Sequence, residues 1–305
     1  MSLGLRLPAG VTTRPASMDD IDAVTRLIEA CEVAEDGEVE IDRSDVVSSW
    51  SRPSFRPERD ARIVAEGDRL LAWAEVFQGR RAEADVHPEH GGRGIGSALL
   101  GWTEAAARDA GGSLVGQSVT DANTGAMELF RANGYEPLWT SWILQIPLTV
   151  APEPAVLPEG VELRPFHPER DGPAAFRVID GAFSEVPDPE PTRFEDWAAK
   201  LTGHAAFSPP LSRLAWQDGR IVGAGMVLDY GPENEGWVQQ LAVDARHRNR
   251  GIARALLTDV FRAFHERGAS ACGLSTDSRT GALGLYEKVG MRVRRSYTHW
   301  AKELT

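Results

Sequence analysis

Sliding the sequence against itself by about 150 positions brings four stretches into register, and this internal repeat constrains the fold more than any other feature. Leu7–Pro15 (LPAGVTTRP) matches Leu157–Pro165 (LPEGVELRP), and RIVAEGDRLLAWAEVF from Arg62 matches RLAWQDGRIVGAGMVL from Arg213. RGIGSALL at Arg93 matches RGIARALL at Arg250, and TGAMELFRANGY at Thr124 matches TGALGLYEKVGM at Thr280. The offset drifts in chain order, as insertions in loops would make it. A chain of 305 residues is therefore two copies of one domain, each of about 140 to 150 residues. Pro147, Pro152, Pro154 and Pro158 predict a stiff, extended joint. The boundaries expected are 1–147, a linker at 148–158, and 159–305.

Each copy reads as α+β with a mixed sheet. A first strand (Val11–Arg14; Val161–Arg164) leads into a helix (Met18–Ala30; Ala174–Phe183) and a loop-rich stretch holding Trp50 or Trp197. A hairpin follows, turning at Glu66-Gly67-Asp68 or Gln217-Asp218-Gly219 between alternating apolar residues. Next come a strand ending at Val86 or Val243, a basic glycine turn, a helix, a strand (Ser113–Val119; Ala271–Thr276), a helix with Phe130 or Tyr286, and final strands ending near Ile146 or Ala301.

The basic turn has the chemistry of an anion site. Amide groups of a tight turn and the first helical turn point one way, the helix dipole favours negative charge there, and Arg248 and Arg250 add fixed cations. Glycine at 251 is expected because a Cβ would hold phosphate oxygens off the backbone. Behind it Ile252, Leu256, Leu257, Val260, Phe261 and Phe264 recur at helical spacing, with Gly268 as the stop.

Composition narrows the partners. A net charge of −12 argues against a general nucleic-acid binder or an anionic membrane surface, and suits an amine-bearing small molecule. Cys31 and Cys272 are too few for a disulfide framework or a zinc cluster, so a reducing cytoplasm is the expected compartment. There is no signal-peptide pattern and no run of 18 apolar residues. Among 33 cationic residues all but Lys200, Lys288 and Lys302 are arginine, which suits a GC-rich bacterial source. His87, His90, His247, His265 and His299 show no metal-ligand spacing, so no metal is expected.

The order strand, R-x-x-G-x-[GA] turn, helix, strand, [NR]-T-G-A-x-x-L-[YF]-x-x-x-G-[YM] resembles the GNAT superfamily of acyl-CoA-dependent N-acetyltransferases, twice over nearly the whole chain. The two-domain arrangement is similar to that of the mycothiol synthases. The resemblance implies two GNAT-type domains, each a mixed, mostly antiparallel twisted sheet flanked by helices, with acetyl-CoA as cosubstrate. It implies that Leu241, Ala242 and Val243 line the pantetheine arm, that Arg248, Asn249, Arg250, Gly251, Ile252, Ala253 and Arg254 cradle the pyrophosphate, and that Tyr286 is the general acid. The family's base is commonly a strand glutamate, but this strand reads Val238-Gln239-Gln240-Leu241. The nearest carboxylates are Asp229, Glu233 and Glu235, of which Glu235 is the choice, with a water chain to solvent as the other route.

The first copy has Gly91 where the turn should open on Arg or Gln, and Phe130 has no proton to give. Val86, Arg93, Gly94, Gly96 and Ser97 still leave a possible second cofactor site. The expected reading is a catalytic second copy, a degenerate first, and direct transfer to a small-molecule amine; Arg279, standing where the first copy has Asn123, is the departure that bears on the second site. Trp50, Trp197 and Phe207 suit either an acceptor pocket or loop packing. A monomer, as a pseudo-dimer of repeats, or a homodimer fits equally. A non-catalytic acyl-CoA sensor or scaffold, or a protein acetyltransferase, are the other functions this sequence allows. A Rossmann site lacks its third glycine, and no G-K-[ST] exists for a P-loop.

Overall fold

The structure, a computed structural model, describes residues 7–187, 189 and 191–304. The first repeat runs β1 (Thr12–Pro15), α1 (Ile21–Asp36), α2 (Arg43–Trp50), α3 (Pro57–Asp60), β2 (Ala61–Glu66), β3 (Arg69–Phe77), β4 (Arg81–Val86), α4 (Ile95–Asp109), β5 (Leu114–Thr120), α5 (Thr124–Ala132) and β6 (Glu136–Pro147). The second runs β7 (Val161–Pro165), α6 (Pro168–Phe183), α7 (Phe194–Thr202), β8 (Arg213–Gln217), β9 (Arg220–Asp229), β10 (Glu235–Val243), α8 (Ile252–Glu266), β11 (Ala271–Asp277), α9 (Leu283–Lys288) and β12 (Arg292–Glu303).

Local chemistry sets these elements. The β8–β9 hairpin turns on Asp218 (φ 50°) and Gly219 (φ 72°), both left-handed, as a two-residue turn matched to strand twist requires. Helix α8 buries Ile252, Leu256, Leu257, Val260, Phe261 and Phe264, the apolar face read from the sequence. It closes on Gly268 (φ 83°), with Ala269 N–H donating to the Phe264 carbonyl and Gly268 N–H to that of His265, the two bonds of a Schellman cap.

The sheets have the expected mixed order, but the compact units are not the sequence repeats. Unit 1 comprises residues 1–140 with 297–305, and unit 2 comprises 141–296. In unit 1, β1, β2, β3 and β4 pair antiparallel, β4 pairs parallel with β5, and β5 pairs antiparallel with Tyr297–Glu303 of β12. In unit 2, β7, β8, β9 and β10 pair the same way, β10 is parallel to β11, and β11 is antiparallel to Ser141–Pro147 of β6. Each repeat's last strand thus completes the other repeat's sheet, and the expected division at 147 and 159 is corrected. Packing fixes the exchange. Leu144 (0% exposed) and Leu148 (3%) sit in unit 2's core with Leu257, Phe261 and Leu274, whereas Trp300 (3%) sits in unit 1's core with Val115 and Phe130. Leu148, expected in the linker, donates its N–H to the Ser270 carbonyl.

Candidate active site

Unit 2 builds its cleft where two parallel strands part. β10 and β11 are in register from Glu235–Ala271 to Val238–Leu274 and no further, whereas β10 stays paired to β9 as far as Val243. The register with β9 shifts between Val238 and Gln240, a bulge that adds a residue to β10 and bends it. Beyond Val238 the β11-facing edge of β10, including Leu241, Ala242 and Val243, has no strand partner among the described residues. Backbone groups at such an edge call for a partner of their own.

The basic turn follows directly. Asn249 (φ 60°) and Gly251 (φ 86°) are both left-handed, and Gly251 is the N-cap of α8, so the turn's amides and those of the first helical turn are brought together. The left-handed φ by itself favours glycine at 251, where a Cβ would meet no protein atom within 4 Å. Arg248 donates to the Val243 carbonyl (3.1 Å) and pairs with Glu185 (2.5 Å), and Arg250 donates to Gln217 (3.0 Å). Arg254 and Gly251 are exposed, Ala253 is half-buried, and Ile252 is buried as the anchor of the turn rather than as a contact surface.

Tyr286 lies on α9, 7% exposed, in the cluster with Leu274, Leu257 and Met291. Burial pushes its phenol up to about 12, and the Thr276 hydroxyl beside it acts in the opposite sense. The phenol therefore holds its proton throughout the neutral range. Arg279 shortens the helix that carries it. Asn123 caps α5 by accepting from Ala126 N–H (2.9 Å), whereas Arg279 folds back onto Asp277 (2.7 Å) and α9 starts at Leu283 with no side-chain cap at its N-cap residue.

Glu235 is not brought to Tyr286. Gly236 faces Phe264 of α8, so Glu235 and Trp237 lie on the opposite face, where both crowd the bare Cα of Gly273. Tyr286 belongs to the α8 side. Gly273 is also three residues short of Thr276, about 10 Å at strand rise. The Glu235 carboxylate accepts from Gln145 (2.9 Å) and pairs with Arg294 (3.3 Å). Of the other acids, Asp229 pairs with Arg267 (2.8 Å).

Trp50 and Trp197, expected in loops, end α2 and sit inside α7. Trp50 donates to Glu75 (2.6 Å) and Trp197 to Gln240 (2.8 Å), the latter fixing the strand residue just past the bulge. Phe207 packs edge-on against Phe166 (6.2 Å). Sequence reasoning missed Thr276 and Thr280, visible only once α9 is placed, and Gln145, which arrives from the other repeat. Cys272 is fully buried and its thiol is raised by burial and by Glu235; Cys31, also raised by burial, donates to the Val86 carbonyl (3.5 Å). Neither is a poised nucleophile.

Unit 1 repeats the frame with different contents. β4 and β5 share a single paired position, Arg81–Gly116, and Gly94 (φ 82°) caps α4. Arg93 is held by Glu66 (2.8 Å) and His90 (3.1 Å), Gly96 packs near Leu129 and Val86, and Ser97 is exposed. The last turns of α1 reach across the end of this sheet: Glu35 accepts from Asn123 (2.5 Å) and Asp36 from Thr120 (3.4 Å). Asp85, half-buried on β4, accepts from Trp73 (2.9 Å) and is pushed up to about 7 by burial, with Glu35, Glu83 and Glu32 adding negative charge. His87, Glu89 and His90 place ligand atoms within 4.8 Å of one another, a grouping that sequence spacing did not suggest. Each is engaged: His87 accepts from Glu89 N–H (3.3 Å), Glu89 pairs with Arg69 (2.5 Å), and His90 faces Arg93. Among the described residues no helix is long and apolar enough to cross a membrane.

The model of the acetyltransferase (GNAT) family matches the chain twice, over residues 23–135 and 173–291. The mycothiol acetyltransferase of Thermobispora bispora is 30% identical over 252 residues, covering 79% of this chain and 81% of that protein. That of Thermomonospora curvata is 33% identical over 214 residues, 70% of each chain. A GCN5-related N-acetyltransferase from Sphaerobacter thermophilus superposes with a TM-score of 0.77 at 30% identity, covering 98% of this chain and 97% of that one. A tandem GNAT protein from the clavulanic acid biosynthesis pathway superposes at 0.73 with 16% identity over 97% and 99% of the two chains, a likeness of fold.

Proposed function

The chain belongs to the GNAT acetyltransferase family, and on that premise we propose that unit 2 transfers an acetyl group from acetyl-CoA directly to the amine of a small molecule, with Tyr286 as general acid. One observation carries the reading: β10 and β11 part after Val238 and Leu274, and β10 runs on into a left-handed glycine turn at the head of α8. In this reading the pantetheine arm takes the unpaired edge of Leu241–Val243. The pyrophosphate takes the amides around Arg250 to Ala253, with Arg248, Arg250 and Arg254 as cations. Arg248 and Arg250 would exchange Glu185 and Gln217 for phosphate.

The amine attacks as the neutral base. Its nitrogen forms the C–N bond, and the C–S bond of the thioester breaks through an oxyanion that edge N–H groups of β10 can stabilise. The departing sulfur takes the proton of Tyr286, and the phenolate is restored from solvent. The proton shed by the amine leaves through water, with Glu235, on the face opposite α8, as the nearest carboxylate the sequence offered. Buried, raised thiols at Cys31 and Cys272 support direct transfer over an acyl-cysteine route.

The name of the relatives makes deacetylated mycothiol the first acceptor to test, within a panel of amines. For unit 1 the non-catalytic reading is favoured, because Phe130 stands where Tyr286 does and α1 ties itself to Asn123 and Thr120. The test is release of free CoA from acetyl-CoA in the presence of each amine. Turnover with at least one amine that falls away in Tyr286→Phe supports the proposal; turnover unaffected by that change overturns the acid assignment.

A further inference from the structure

The bulge in β10 re-aims one side chain at the point where the strands part. Val238 packs on the α8 side, and strict alternation would send residue 240 the same way. The extra residue between them reverses the parity. Gln240 pairs with Met226 and Ala242 with Ala224, and Met226, Ala224 and Ala242 belong to the core beneath α6 and α7. Gln240 is thus half-buried on the face opposite α8, two positions past the last β10–β11 pair. Its amide is held from one side. Trp197 is 7% exposed, its ring packs on Phe176 (5.4 Å) and Phe194 (5.9 Å), and its indole N–H donates to Gln240 (2.8 Å). An indole nitrogen can only donate, so the atom it meets is the amide oxygen. The amide nitrogen is turned away from Trp197 and has no hydrogen-bond partner among the described residues.

We propose that Gln240 is a specificity-determining residue for the amine acceptor. With its oxygen taken by Trp197 it offers the cleft only N–H, and so selects an amine that carries an oxygen able to accept a hydrogen bond, as a sugar, an ether or a carbonyl does. The inference rests on the reading of unit 2 as an amine acetyltransferase. In that reading CoA enters from the turn at the head of α8, which puts its thioester at the Gln240 end of the open edge. CoA then fills the α8 side, and the amine approaches over the face that holds Gln240. Unit 1 lacks the arrangement. Its β3–β4 ladder runs from Ala72–Val86 to Phe77–Arg81 without a register shift, and Glu83 stands in the place of Gln240. There the indole of Trp50 donates to buried Glu75 on β3, where unit 2 has Met226, which offers no oxygen.

The test measures kcat/KM, as free CoA released at saturating acetyl-CoA, for two amines of equal length. Methoxyethylamine has an ether oxygen, which only accepts; butylamine has a methylene in its place. Gln240→Glu keeps an oxygen for Trp197 and replaces the donor with an acceptor. It is expected to lower the methoxyethylamine-to-butylamine ratio of kcat/KM about tenfold, the worth of one hydrogen bond, with KM for acetyl-CoA unchanged. The differing basicity of the two amines cancels when variant and wild-type ratios are compared. Gln240→Met, which adds no charge, should lower the ratio as well, and Trp197→Phe, which lets the amide turn, about threefold. A residue that only braces Trp197 would leave the ratio unmoved in Gln240→Glu, because the brace is kept. An unmoved ratio, or wild-type turnover of amines with no preference for methoxyethylamine over butylamine, overturns the specificity role and leaves the acetyltransferase reading standing. Absence of wild-type turnover with every amine of the panel overturns both.

Discussion

Unit 1 and unit 2 share a sheet order, a pair of parallel strands that part, and a left-handed glycine at the head of the following helix. They differ in what lies at the parting. In unit 2 a buried phenol, Tyr286, lies in the core cluster with Leu257, Leu274 and Met291, and Thr276 faces Thr280 (3.0 Å). In unit 1 the phenol is Phe130, the threonine turns to Asp36, and Glu35 holds the Asn123 side chain. The helix α1 is one reason. Both α1 and its counterpart α6 have 16 residues, but at the repeat offset of 150 α1 starts and ends three positions later, and its last turn supplies the carboxylates that engage β5 and α5. A fold of this kind is kept by its core and its turns, so the reacting groups can change without it.

The largest effect expected from breaking this comparison is at Tyr286. Replacing it with Phe, which makes unit 2 resemble unit 1, should reduce kcat by about 100-fold or more, as loss of a general acid does. The reciprocal Phe130→Tyr should leave turnover at the wild-type level, because Thr120 and Asn123 are already engaged. Steady-state rates of CoA release with the panel acceptors check both.

Leu144→Ala tests where the last strand of the first repeat belongs. Deleting a fully buried leucine costs about 3 kcal/mol, and the loss should appear as faster amide hydrogen exchange in 271–277 with 114–120 unchanged. Faster exchange in 114–120 instead would place that strand in its own repeat.

That strand also marks where sequence reading stops. Alternation, the Asp-Gly turn, the face of α8 and the repeat itself were legible because each is set by a few neighbouring residues. The exchange was not, because β5 and β11 descend from one pattern and present equivalent edges; periodicity says that β6 must pair with such an edge but not which copy offers it. The same limit hid Gln145, and spacing alone does not say which face carries Glu235, which strand parity sets opposite the α8 side. The short α9 was foreshadowed by Arg279, yet that Thr280 accepts from Ala282 N–H (3.2 Å) needed coordinates.

Asp85 gives unit 1 a titration that unit 2 lacks, Ala242 being its counterpart. Its folded pKa is raised, so the folded state holds the proton more tightly; Asp85's own contribution to stability is fully present below the ordinary carboxylate range and is lost as pH rises through about 7. Asp85→Asn keeps the acceptor for Trp73 and should flatten that fall, adding about 1 kcal/mol at pH 8 once solvent screening of a half-buried group is discounted. Thermal unfolding at pH 5 and pH 8 measures it. Glu235→Gln should have the smallest effect, a few-fold in kcat, since a water path remains for the amine's proton. A loss as large as that of Tyr286→Phe would restore Glu235 as the base.

Calorimetric titration of acetyl-CoA into the wild-type protein and into Arg250→Glu and Arg93→Glu tests most directly that the parted strands of unit 2 form the working cleft. The account predicts one site per chain, lost in Arg250→Glu and retained in Arg93→Glu. Binding that survives Arg250→Glu but disappears in Arg93→Glu would contradict it, as would two equal sites per chain.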